Sequence, residues 1–177
     1  MSSVLLRYHA GYACFIQAKH GDDISSGQEV LIYNLQRTKH PTVFTCGDCS
    51  TIISATLGGG QQSGIQLVYC EVDEKLGARY NIPCSKLLGT INVASISCHK
   101  LPDREQNWRT TIPSKLALCA KTPILLQTNG FTTVLVVKNR ILAWGKDGHF
   151  IGEQLLHQEQ VSCDLPFLAV TLRRMRG

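Results

Sequence analysis

Ser26 to Cys46 reads SGQEVLIYNLQRTKHPTVFTC, and about 37 residues later Ser63 to Cys84 reads SGIQLVYCEVDEKLGARYNIPC. In both, a Ser-Gly turn leads into a short apolar run ending in a tyrosine, Val30-Leu31-Ile32-Tyr33 and Leu67-Val68-Tyr69. A polar turn and a second run closing on a cysteine follow, so each stretch reads as two strands and a turn. The aromatic returns at Trp108 and Trp144, with steps of 36, 39 and 36 residues from Tyr33 onward.

A second series lies between these units: Ile53 to Leu57, Val93 to Ser97, Thr133 to Val137 and Phe167 to Leu172, each a short apolar or small-residue run suited to a buried strand. With Ala55, Ala94, Val134 and Ala169 as markers, its steps are 39, 40 and 35 residues. Several short strands per period of this length point to a propeller rather than a helical solenoid, whose units would space apolar residues three and four apart. The expectation is an all-β chain of short antiparallel strands in about four repeats of roughly 38 residues, a partial β-propeller in one domain spanning residues 1–177.

Along the chain, Val4 to Ala18 reads as one or two strands and Gly21 to Gly27 as a turn-rich connection. Leu57 to Gly64, LGGGQQSG, reads as a flexible exposed hairpin loop; it lacks both GxxxxGK[ST] and GxGxxG and no helix follows it, which argues against phosphate binding. Leu101 to Ser114, LPDREQNWRTTIPS, reads as a polar loop around Trp108 that interrupts the repeat. Asn129-Gly130 and Lys146-Asp147-Gly148 are turn signals between strands. Gly152 to Gln160 is compatible with a short helix or the end of a strand.

Among the 177 residues the hydrophobic fraction is 44%, which excludes a disordered chain, and the net charge of +5 is a mild excess that fits an acidic partner without indicating nucleic acid. No run of about 18 apolar residues suggests a membrane helix. The first 18 residues lack the continuous apolar stretch of a secretory signal, so an intracellular, cytoplasmic or nuclear location is expected. In such a compartment the eight cysteines read as free thiols.

The units EVLIYNL (29–35) and RILAWGKDG (140–148), at this period, resemble blades of WD-type β-propellers. In that family a strand ending in an aromatic followed by Asp or a similar residue closes the third strand of each blade, and Tyr33-Asn34, Tyr69-Cys70 and Trp144-Gly145 fall at that place. The resemblance implies a non-catalytic scaffold or adaptor subunit of an intracellular complex. Propellers have four to eight blades, so a chain of this length implies a partial propeller completed by a partner or further copies, an N-terminal part or short form of a longer protein cut within a blade, or strands that make some other β fold. Contact is expected at the edge strands Val4 to Tyr8 and Phe167 to Leu172, at Trp108, and at Arg173, Arg174 and Arg176.

The alternative starts from Cys46-Gly47-Asp48-Cys49, whose thiolates could hold one side of a tetrahedral zinc. HPTVFTCGDC with LGARYNIP is similar to parts of Yippee and Mis-eighteen domains, β-rich zinc modules of protein assemblies. That resemblance implies zinc as cofactor and Cys46, Cys49 and Cys70 as ligands, although the second CxxC is absent. Redox chemistry at this CxxC needs a helix N-terminus, where a strand is expected. Cys46, Cys98, His20, His99, Asp22 and Ser63 supply hydrolase residue types without a local signature such as GxSxG, so no enzyme is expected.

Overall fold

The computed structural model describes residues 5–18, 28–37, 40–45, 50–73, 93–103, 105–113, 116, 118 and 122–156. Twelve strands follow one another along these residues, and none of the described residues is in an α-helix. The strands form three four-stranded antiparallel sheets, each a simple meander in chain order. Sheet A holds β1 (Leu5–His9), β2 (Tyr12–Ala18), β3 (Gln28–Asn34) and β4 (Thr42–Thr45). Sheet B holds β5 (Ser50–Gly60), β6 (Gly64–Asp73), β7 (Val93–Lys100) and β8 (Gln106–Thr111). Sheet C holds β9 (Ile124–Thr128), β10 (Thr133–Val137), β11 (Arg140–Trp144) and β12 (Phe150–Leu155).

The all-β expectation holds, and so do several turns. Leu5 to Ala18, the described part of Val4 to Ala18, becomes the β1–β2 hairpin, turning at Ala10-Gly11, both with positive φ. Asn129 Oδ1 accepts from the backbone N–H groups of Phe131 (2.9 Å) and Thr132 (2.8 Å), and so shapes the β9–β10 turn. Residues 150–155 are strand, which settles the described half of Gly152 to Gln160. The recurring unit is the four-stranded sheet, however, and the aromatic markers do not occupy equivalent places in it. Tyr33 and Trp144 lie on third strands, Tyr69 on a second and Trp108 on a fourth.

Alternation along each strand decides how the sheets stack. Cys14, Ile16, Val30, Ile32 and Phe44 of sheet A form one core with Ile52, Ala55, Leu57, Leu67 and Tyr69 of sheet B. The opposite face of sheet B sends Val68, Cys70, Val72, Ile96, Cys98 and Trp108 into a second core with Leu126, Leu135, Val137, Leu142 and Trp144 of sheet C. Sheet B is therefore covered by sheet A on one face and sheet C on the other.

The first strands meet where the sheets join: β5 packs against β1 and β9. Here the glycines of LGGGQQSG have a structural purpose. A Cβ on Gly58 would stand 2.2 Å from the carbonyl oxygen of Thr128, so only glycine lets the β5 backbone approach β9 this closely. The stretch is strand as far as Gly60, and the turn is confined to residues 61–63.

Candidate interaction surface

Several sequence-nominated groups are absorbed by the packing between sheets. Trp108 lies in strand β8, not in a loop, and is 7% exposed. Its indole is covered by the β11–β12 turn, where Gly148 (φ +80°) leaves room that a Cβ, 2.8 Å from Trp108 Cε3, would fill. Trp108 therefore joins sheets B and C and offers no free surface for a partner. Its segment looks polar because β8 is an edge strand on which most side chains point to solvent.

Cys70, the third candidate zinc ligand, is fully buried in the core between sheets B and C. Burial pushes its thiol up to about 12, with the neighbouring Glu71 charge adding to the shift, and a thiol so held stays protonated and poorly suited to ligation. Among the described residues no three His, Cys, Asp or Glu side chains gather as a metal would need. Cys46 and Cys49 lie outside the described residues, as do Arg173, Arg174, Arg176, His20, Asp22 and the run Phe167 to Leu172.

Cys98 and His99 are neighbours in sequence, but strand alternation sends them to opposite faces of sheet B. The Cys98 thiol donates to Gln66 Oε1 at 3.5 Å, and its pKa is likewise pushed up to about 12 by burial, against a smaller lowering from Asn107. His99 sits on the other face, stacked on Tyr69 (ring centroids 5.5 Å apart) and beside Phe44 (5.0 Å), with Tyr69 Oη 3.3 Å from its Nε2. It thus links sheets A and B, as does His9, whose Nε2 lies 2.7 Å from the carbonyl oxygen of Gly59. This arrangement does not bring Cys98 and His99 together as a nucleophile and its base.

Among the described residues, the outer face of sheet A is only partly covered. Register sets Tyr8, Ala13 and Tyr33 in one row across it, Phe15, Leu31 and Val43 in the next, and Gln17 with Glu29 in a third. Ala13, Phe15, Gln17, Leu31, Tyr33 and Leu35 line a groove of about 510 Å³ on this face. Phe15 and Tyr33 meet edge to face at 5.6 Å. Tyr8 (66% exposed) and Leu35 (62%) stand at its rim. Glu29 is the one charged side chain that the register places on this face among the described residues.

Sequence reasoning had nominated the first strand as an edge, and β1 is an edge of sheet A. It did not find the face. The signal was present: Val30-Leu31-Ile32-Tyr33 and Ala13-Cys14-Phe15-Ile16 are apolar at both parities, a pattern that marks strands meant to be covered on both sides. A second missed feature is the β12 edge, where Phe150, Ile151 and Leu155 are about half exposed.

Comparison of the chain with family models, curated proteins and solved structures gave no match.

Proposed function

We propose that this chain is a non-catalytic scaffold that acts by contact with other protein, built on propeller-like stacking of four-stranded sheets. The observation that carries this reading is the outer face of sheet A, apolar like the faces of sheets A and B that are already covered, yet only partly covered by the described residues. Burying apolar area gains roughly 25 cal/mol per Å², and exposed apolar patches of several hundred Å² commonly mark interaction sites. The stacking order supports the propeller-like part, since successive meanders pack face to face with β5 against both β1 and β9. In such a series the next sheet would cover the face carrying Phe15, Leu31 and Tyr33.

The polar groups of the interior support contact over catalysis. Cys14, Cys70 and Cys98 are buried with thiols pushed up to about 12, the opposite of an activated nucleophile. The buried Glu71 carboxylate pairs with Arg109 on the face of sheet B that carries Leu67 and Tyr69, where Ser95 also accepts from the guanidinium.

The test compares Leu31→Glu on this face with Leu125→Glu on sheet C, both checked for folding by circular dichroism. Protein partners recovered with the wild-type chain should be lost with the first variant and kept with the second. Equal recovery from both, or a turnover abolished by a single Cys or His substitution, would overturn the reading.

A further inference from the structure

Resting on the scaffold reading, we infer that the groove on the outer face of sheet A takes a proline-rich segment of another protein, bound as a polyproline II helix with a lysine or arginine at Glu29. The size of the face argues for a linear ligand. It spans four strands and about six residues, roughly 400 Å² of flat sheet, against the ~800 Å² that each partner of a standard interface buries. That is too little for a folded partner or a stable pair of chains, and it matches a short segment lying along β2 and β3.

Hydrogen bonding selects the conformation of that segment. A sheet face offers side chains and no backbone groups, so a β-strand laid on it would hold N–H groups over Phe15 and Leu31 without acceptors. Proline has no N–H, and polyproline II needs no ladder of its own. Such a segment carries carbonyl oxygens in excess, and the face supplies donors: the phenols of Tyr8 and Tyr33 and the amide of Gln17 have no hydrogen-bond partner among the described residues. The rings supply the apolar seat. Phe15 and Tyr33 stand at 80° to each other, with the small Ala13 opposite Tyr33, and so form a corner for a pyrrolidine ring.

Charge narrows the ligand further. Glu29, half-buried opposite Gln17 at one end of the groove, has no ion-pair partner among the described residues, and the register places no Lys or Arg on this face. A nucleic-acid phosphate would meet a carboxylate and no cation here, whereas a basic side chain gains an opposite charge. From the Ala13–Tyr33 row to the Gln17–Glu29 row is two spacings along the strands, about 13 Å. Polyproline II covers that length in about four residues, so the motif is a Lys or Arg about four positions from an anchoring proline.

Amide NMR shifts of the isotopically labelled full chain, titrated with synthetic peptides, read the binding directly. The probes are RPLPPLP, its neutral form QPLPPLP and the proline-free RALAALA, each up to about 1 mM. RPLPPLP should bind with shifts concentrated in β2 and β3, at least ~10-fold tighter than RALAALA; Tyr33→Ala should weaken it at least ~10-fold and Leu125→Ala on sheet C should not. Glu29→Gln should weaken RPLPPLP about 2–5-fold and leave QPLPPLP unchanged, and this near-isosteric variant keeps the test decisive if Tyr33→Ala fails to fold. No binding of RPLPPLP, equal binding of RALAALA, or a Glu29→Gln variant that affects both proline peptides alike overturns the inference, as does a polyuridine oligomer that shifts β2 and β3 when the peptides do not. Peptides that fail to bind while Leu31→Glu still loses a folded protein overturn the linear ligand and leave the scaffold; turnover abolished by a Cys or His substitution overturns the scaffold.

Discussion

Replacing Gly148 by alanine should destabilise the chain by about 2–5 kcal/mol, because two independent costs fall on one methyl group. Gly148 has φ +80°, where an L-residue loses roughly 1–2 kcal/mol. Its new Cβ would also stand 2.8 and 2.9 Å from Cε3 and Cδ2 of Trp108, and forcing apart a packed contact of this kind costs about 1–3 kcal/mol. For a chain of this size, each kcal/mol corresponds to roughly 2–4 °C of melting temperature. The built-in comparison is Gly152→Ala on β12, where nothing lies within 4 Å of the added Cβ. That substitution should be neutral, or stabilise by up to about 1 kcal/mol through the unfolded chain. Urea unfolding followed by tryptophan fluorescence suits the test, since both tryptophans, Trp108 and Trp144, are buried between sheets B and C. If Gly148→Ala shifts stability by under about 0.5 kcal/mol, or Gly152→Ala costs as much, the docking of the β11–β12 turn on Trp108 is wrong.

Leu135→Ala removes a fully buried side chain from the same core and should cost about 2–5 kcal/mol in that assay, whereas Leu125→Ala, half exposed on β9, should cost under about 1 kcal/mol. The thiols of Cys14, Cys70 and Cys98 lie near 12 in the folded chain, against 9.0 when free, so the folded state keeps protons that the unfolded state releases. Stability from these groups is therefore complete below pH 9 and is lost as pH rises from 9 toward 12, by roughly 1 kcal/mol per thiol at pH 10; urea midpoints at pH 8 and 10 should show it, and Cys70→Ala should flatten the change. Cys46→Ser combined with Cys49→Ser should leave the chain folded at a cost of no more than about 1–3 kcal/mol. Loss of all folded signal, with stoichiometric zinc in the wild type, would instead favour a zinc module.

The strands themselves were legible because their signals are local. Asn129-Gly130 and Lys146-Asp147-Gly148 name their turns, and Val30 to Tyr33 has the β-branched and aromatic content of a strand. The grouping of strands into sheets was not legible, since it depends on contacts between distant segments. Tyr33, Tyr69, Trp108 and Trp144 repeat at similar intervals because large aromatics suit strand positions generally, not because they share one place in a sheet. Trp108 read as a loop residue because an edge strand needs only one face covered, which leaves Gln106, Asn107, Arg109 and Thr111 exposed around it. The Gly58 stretch read as a flexible loop because a glycine required for close backbone approach looks, in sequence, like a glycine required for a turn. The outer face of sheet A was hidden for a related reason: apolar residues on both parities of β2 and β3 announce two covered faces but do not name what covers the second.

The most direct test of a contact surface on sheet A is photo-crosslinking in cells from position 31, with a photoreactive residue in place of Leu31 and the products identified by mass spectrometry. The result expected is crosslinks to other protein chains at a yield well above that from the same residue at position 125. Products no more frequent from position 31 than from position 125, or confined to a single chain, would contradict it.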